Sequence, residues 1–239
     1  MNAKSCHCCG KSESQVTLVN GGDGDWANYY CMEHVPWERT HELLRKPLVR
    51  VCWNWGFFRQ AYGTQASYDL LKKAADAFFT QCRQALVRDI ILTICQITDP
   101  AKQGDKENLT LQQMLSRMKA QGCDPNQIAR LEQQLGNVQK VVAPFRDLRN
   151  KRFAHLDFEV NLGLEPLSRK PPEQAPAPDV TGQNVEDAVY EIRLFMWEAK
   201  HAPNRAQPTK PYQIPCDIPG DAAELIRKLK LLDQQGPLR

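Results

Sequence analysis

Residues 67–100 read SYDLLKKAADAFFTQCRQALVRDIILTICQITDP, and this stretch sets the fold class. Its apolar positions Leu70, Leu71, Ala74, Ala77, Phe78, Cys82, Ala85, Leu86, Ile90 and Ile94 recur at intervals that fit one face of an α-helix. Ser67 offers a capping hydroxyl at the start. The run closes at TDP, residues 98–100. The spacing predicts one long helix over roughly 66–97.

Working outward, Val49, Cys52, Trp53, Gly56, Phe57 and Gln60 recur by threes and fours and predict a helix over roughly 37–62. Downstream, the loop DPAKQGDKEN leads to Thr110, a cap for LQQMLSRMKAQG. Asp124 with Pro125 in the first helical position opens NQIARLEQQLGNVQKVV. Pro144 is then expected to kink that helix or to begin the next, which carries RNKRFAH at 149–155. A Pro-rich excursion at 163–181, a helix at about 184–201, a second Pro-rich stretch and a short helix DAAELIRKLKLLD complete the chain. The expected fold is an all-α helical bundle preceded by a small N-terminal knuckle. The expected division is 1–36, the knuckle; 37–162, the helical domain; and 163–239, a Pro-rich linker with C-terminal helices.

The 239 residues, 42% hydrophobic and 25% charged, can bury a sizeable core. A net charge of +3 gives no global argument for nucleic acid, so any such site must be a local concentration of Lys and Arg. No apolar run approaches the roughly 20 residues that span a bilayer, and no apolar run follows Lys4 as in a secretory signal. A cytoplasmic location is expected. No Gly-rich phosphate loop, nucleophile elbow or paired catalytic carboxylate motif is present.

Four of nine cysteines crowd into the first 31 residues. Cys6 and Cys9 are separated by two residues, as are Cys31 and His34, and between the pairs lies the turn-rich run VNGGDGDW flanked by QVTLV and NYYC. Two such pairs converge on one tetrahedral ion, and three thiolates with one imidazole suit structural Zn²⁺. His7 and Cys8 compete for places in the first pair. A segment this short needs such a staple to fold.

RNKRFAH carries the chemistry. A metal-free ribonuclease needs a base for a 2′-hydroxyl proton and cationic donors for charge building on phosphorus. His155 suits the first task through a pKa near neutrality. Arg149 and Arg152 suit the second, because a guanidinium fork matches phosphate oxygens. Asn150 can hold the imidazole or the phosphate, and Arg146, Lys151 and Arg152 outweigh Asp147 in a local basic patch for the RNA backbone. Asp69, Asp76 and Asp89 on the long helix are candidates to orient Arg149, although each also reads as a solvated carboxylate.

An Arg, a polar residue and a His four to six positions after the Arg, late in an all-α domain, resembles the HEPN (higher eukaryote and prokaryote nucleotide-binding) superfamily signature. RDLRNKRFAHLD is similar to the abortive-infection, AbiU-like branch, as are the long helix ending in an Asp–Pro loop and the helix start ENLTLQQML. The resemblance covers roughly 40–160. It implies a bundle that forms a homodimer with the Arg–His motifs facing each other, and an endoribonuclease that needs no metal for catalysis. Such proteins act in host defence or toxin–antitoxin systems, so an antitoxin or regulatory partner is implied as well. By the resemblance Arg149 and His155 are the catalytic pair and Asn150 the accompanying polar residue. The knuckle and the Pro-rich extension depart from the pattern. The competing readings are a non-catalytic module that binds RNA or protein in the same cleft, and a zinc-containing DNA-binding regulator.

Overall fold

Capping chemistry sets the helix starts. Thr110 Oγ1 accepts from the Gln113 N–H at 3.2 Å, and Asp124 Oδ1 accepts from the Asn126 N–H at 3.0 Å. The cap of the long helix lies three residues earlier than the sequence suggests. Thr64 is the capping residue, and Ser67 supplies the N–H that its hydroxyl accepts, at 3.2 Å. Thr181 and Asn184 form a reciprocal capping box, with the Asn184 side chain accepting from the Thr181 N–H at 2.8 Å.

The computed structural model describes residues 16–20, 27–31, 35–150, 180–201 and 221–235. Among them are six helices: α1 (Trp37–Tyr62), α2 (Gln65–Thr98), α3 (Leu111–Ala120), α4 (Pro125–Leu148), α5 (Gly182–Lys200) and α6 (Asp221–Gln235). The fold is an all-α bundle. Strands β1 (Val16–Asn20) and β2 (Ala27–Cys31) pair antiparallel, with Val16 opposite Cys31. Two-residue strands β3 (Lys102–Gln103) and β4 (Lys106–Glu107) close the loop after α2. Gly104 makes that closure possible: its φ of 60° is the left-handed conformation required at the first position of a two-residue hairpin turn.

The core is built from one stripe of each of the first five helices. Leu44, Leu48 and Val51 of α1 meet Ile90, Ile91 and Ile94 of α2, and Met114 and Met118 of α3 close one side. Val138, Val142 and Phe145 of α4 face Ile192 and Phe195 of α5. Burying each such side chain contributes about 1.5–3 kcal/mol. The helix beyond the first Pro-rich stretch thus shares its core with the four before it. Gln127 ties α5 down by donating from Nε2 to the carbonyls of Glu198 and Ala199 at 3.0 and 3.1 Å.

One proline and one kink depart from the helix pattern read in the sequence. Pro144 lies inside α4, which runs on to Leu148, so no new helix begins there. In α2 the break falls at Ala75, with φ −165° and ψ 81°. The part before it joins α6 in a second small core of Ala61, Leu70, Leu71 and Ile226. The middle of α2 keeps its apolar period but is uncovered among the described residues, with Phe78 62% exposed. No helix of the described residues is long and apolar enough to cross a membrane.

Candidate functional site

Pro100 forces Asp99 into an extended backbone, φ −62° and ψ 164°, and so ends α2. The carboxylate at that corner meets the last turn of α4. Arg149 Nη1 donates to Asp99 Oδ1 at 2.8 Å and to Oδ2 at 2.7 Å, and Arg149 Nε donates to Asn150 Oδ1 at 3.2 Å. Arg149 Nη2 has no partner among the described residues. At Arg149 and Asn150 the α-helix gives way to a wider, π-type turn, a local form frequent at functional sites.

Arg146, one turn earlier, points inward. Its Nη1 donates to Gln139 Oε1 and its Nη2 to the Thr98 carbonyl, which also accepts from Gln139 Nε2 at 3.1 Å. Thr98 is the last residue of α2, so its carbonyl has no partner within the helix, and these two side chains satisfy it. Arg146 Nε is buried 3.9 Å from Asp99 Oδ1 without a hydrogen bond. Two guanidiniums therefore face one carboxylate, leaving a net positive charge at the corner. Beneath it Cys95 is fully buried, and burial pushes its thiol up to about 11. Arg149 and Arg146 oppose that rise, and Asp99 adds to it.

These groups edge a cleft of about 400 Å³. Thr98, Asp99 and Pro100 line it together with Gln112 from the first turn of α3 and Leu135 of α4. Gln112 Oε1 accepts from the Ala101 N–H at 3.1 Å, and Asn108 Nδ2 donates to the Pro100 carbonyl at 3.0 Å. Both bonds pin the Asp–Pro loop.

Of the residues singled out in the sequence, Arg146, Arg149 and Asn150 share this corner. Lys151, Arg152 and His155 lie outside the described residues. So do Cys6, Cys9 and His34, with the alternatives His7 and Cys8, while Cys31 ends β2 by its backbone. The acidic partner of Arg149 is Asp99, which the sequence reading treated only as the end of a helix. The carboxylates considered for that part are engaged elsewhere. Asp69 accepts from Gln65, Asp76 from Thr80, and Asp89 from Asn54, with Arg50 also at 3.3 Å from Asp89. Gln139 and Gln112 were likewise missed; only the Asp–Pro helix end marked the neighbourhood.

The family model HEPN_AbiU2, described as AbiU2, matches residues 35–201, the span from the start of α1 to the end of α5. Comparisons with curated proteins and with solved structures give no match.

Proposed function

The chain belongs to the AbiU2 family of the HEPN superfamily, and we propose that it is a metal-independent endoribonuclease acting in abortive infection. The observation that carries the reading is Arg149 at the edge of the cleft, held by Asp99 through Nη1 with Nη2 left to donate. A guanidinium so held can meet a phosphoryl oxygen without first being ordered, which reduces the entropic cost of the transition state.

In the proposed reaction His155 takes the proton of a 2′-hydroxyl as its oxygen attacks the adjacent phosphorus. The 5′-oxygen leaves with a proton drawn from solvent water, and the product carries a 2′,3′-cyclic phosphate. Arg149 stabilises the charge on the phosphoryl oxygens, Asn150 positions the Arg149 fork, and Lys151 and Arg152 hold the backbone. Arg146 adds its charge from the floor of the site, its N–H groups engaged with Gln139 and Thr98. A general acid–base group contributes about 10²- to 10⁴-fold. Two chains related by a two-fold axis would bring both motifs into one cleft, and an antitoxin or regulatory partner would hold the activity in check. Structural zinc on Cys6, Cys9, Cys31 and His34 belongs to the same proposal. It is supported by the ligand spacing and by the β1–β2 hairpin that joins the pairs.

The test is cleavage of RNA in EDTA by the whole chain, with Arg149→Ala and His155→Ala alongside and zinc content measured in the same samples. Cleavage by the wild type that ends in 2′,3′-cyclic phosphate and falls at least about 100-fold in both variants supports the reading. Wild-type rates from His155→Ala would overturn it. Salt-sensitive RNA binding without cleavage would favour the non-catalytic module.

A further inference from the structure

The groups around the cleft differ in what they leave available to a ligand. The Thr98 carbonyl accepts two hydrogen bonds, Gln139 donates and accepts, and Arg146 donates to both through Nη1 and Nη2, so these groups are engaged with one another and only Arg146 Nε is left without a bond. Arg149 Nη2 retains its donors among the described residues. Gln112 retains a second set: a backbone N–H can only donate, so the bond from Ala101 fixes the accepting atom as Oε1 and turns the –NH₂ of Gln112 away from the loop. That –NH₂ makes no bond among the described residues. Pro100 and Leu135 supply apolar surface in the same cleft.

A cation, an apolar strip and a neutral donor in one cleft match the phosphate, the base face and the base edge of a nucleotide. We infer that the cleft is a base subsite: one unpaired nucleobase lies against Leu135 and Pro100, its acceptor edge receives a hydrogen bond from Gln112 Nε2, and its phosphate meets Arg149 Nη2. The volume has room for one unstacked nucleotide. About 400 Å³ lies at the low end of the roughly 300–1,000 Å³ usual for small-ligand pockets. The substrate class is therefore single-stranded RNA with a base splayed out of its stack, as sequence-specific RNA recognition generally requires. The inference takes its ligand class from the ribonuclease reading, yet it concerns binding and can fail or stand separately.

The experiment is fluorescence anisotropy of a labelled single-stranded pentanucleotide, made uncleavable by 2′-deoxy sugars and rendered abasic at each position in turn. The whole wild-type chain, Gln112→Ala and Leu135→Ala are compared, with thermal melts confirming that each is folded. In the wild type, one abasic position weakens binding about 3- to 10-fold, the loss expected for one hydrogen bond and its apolar contact. Gln112→Ala, an exposed site on the first turn of α3, reduces that penalty while keeping phosphate-dependent affinity. Indifference to every abasic position, or a penalty unchanged in both variants, overturns the subsite, as does competition by a duplex of the same sequence as strong as by the single strand. Cleavage of the all-ribose oligomer with no base dependence would leave the ribonuclease standing without the subsite. A base-dependent affinity with no cleavage would leave the subsite without the ribonuclease.

Discussion

Both oxygens of the Asp99 carboxylate meet a single nitrogen of Arg149, Nη1, at 2.8 and 2.7 Å, so the carboxylate grips one prong of the guanidinium and leaves the other. The two side chains are each about a quarter exposed, at 23% and 25%. Ion pairs as accessible as this contribute about 0–1 kcal/mol to stability, too little to make the contact a fold determinant. Its consequence is orientation.

Replacing Asp99 with Asn or Ala is accordingly expected to lower ribonuclease turnover by about 10- to 100-fold, the scale associated with misplacing a catalytic group by an ångström. The melting temperature should fall by less than about 4 °C. The measurement is single-turnover cleavage beside a thermal melt. Equal rates in wild type and Asp99→Asn would remove the positioning role.

Arg149→Lys keeps the charge and discards the fork. A lysine ammonium cannot hold the carboxylate with one nitrogen and a phosphate with another. The variant is expected to lose nearly as much cleavage as Arg149→Ala. It should retain the slope of log affinity against log salt, whereas Arg149→Ala should reduce that slope by about 1. A lysine variant with near wild-type rates would mean that charge alone suffices.

What the sequence displayed and what it hid follow from the range of each signal. Helix period and capping are local, so α1 and α2 were legible to within a residue or two, and so were Thr110 and Asp124 as caps. The Ala75 break was not, because Ala74, Ala75 and Ala77 carry no breaker; the part of α2 before it packs Leu70 and Leu71 in the small core with Ile226 of α6. Arg149 was legible as a type of residue in a pattern. Asp99 lies 50 positions away and joins it only when α2 and α4 pack, a contact no local periodicity encodes. Asp69, Asp76 and Asp89 lie along α2, whereas the partner is at the helix end that Pro100 marks. Gln139 and Gln112 were invisible because an amide gives no pattern until its neighbours are known.

Cys95 offers a test of how tightly that corner is packed. Its thiol is held neutral up to about 11, chiefly by burial, against an ordinary 9.0. The sign follows from linkage: the unfolded chain releases this proton first, so the thiol's contribution to stability is full below about pH 9 and is lost by about pH 11. In the folded protein at pH 8, iodoacetamide should modify the partly exposed Cys82 and leave Cys95 unmodified until denaturant is added. Peptide mapping reads both sites. Rapid labelling of Cys95 in buffer would show that the corner opens.

Phe145 joins the core to the site. It is fully buried on α4, one turn before Arg149, so the packing of its ring sets where the last turn of α4 lies relative to Asp99. Phe145→Ala should destabilise the chain by about 3–5 kcal/mol, the usual cost of an aromatic core truncation. That is a large fraction of a typical domain stability of about 5–15 kcal/mol. Phe145→Leu removes less volume and keeps the site apolar, and should cost markedly less. The informative comparison is cleavage by the leucine variant well below its melting temperature. If Phe145 acts only through stability, the folded leucine variant cuts at the wild-type rate. If it also sets the register of α4 against α2, turnover falls while the Arg149→Ala background shows no further loss, because the two changes then act through the same guanidinium.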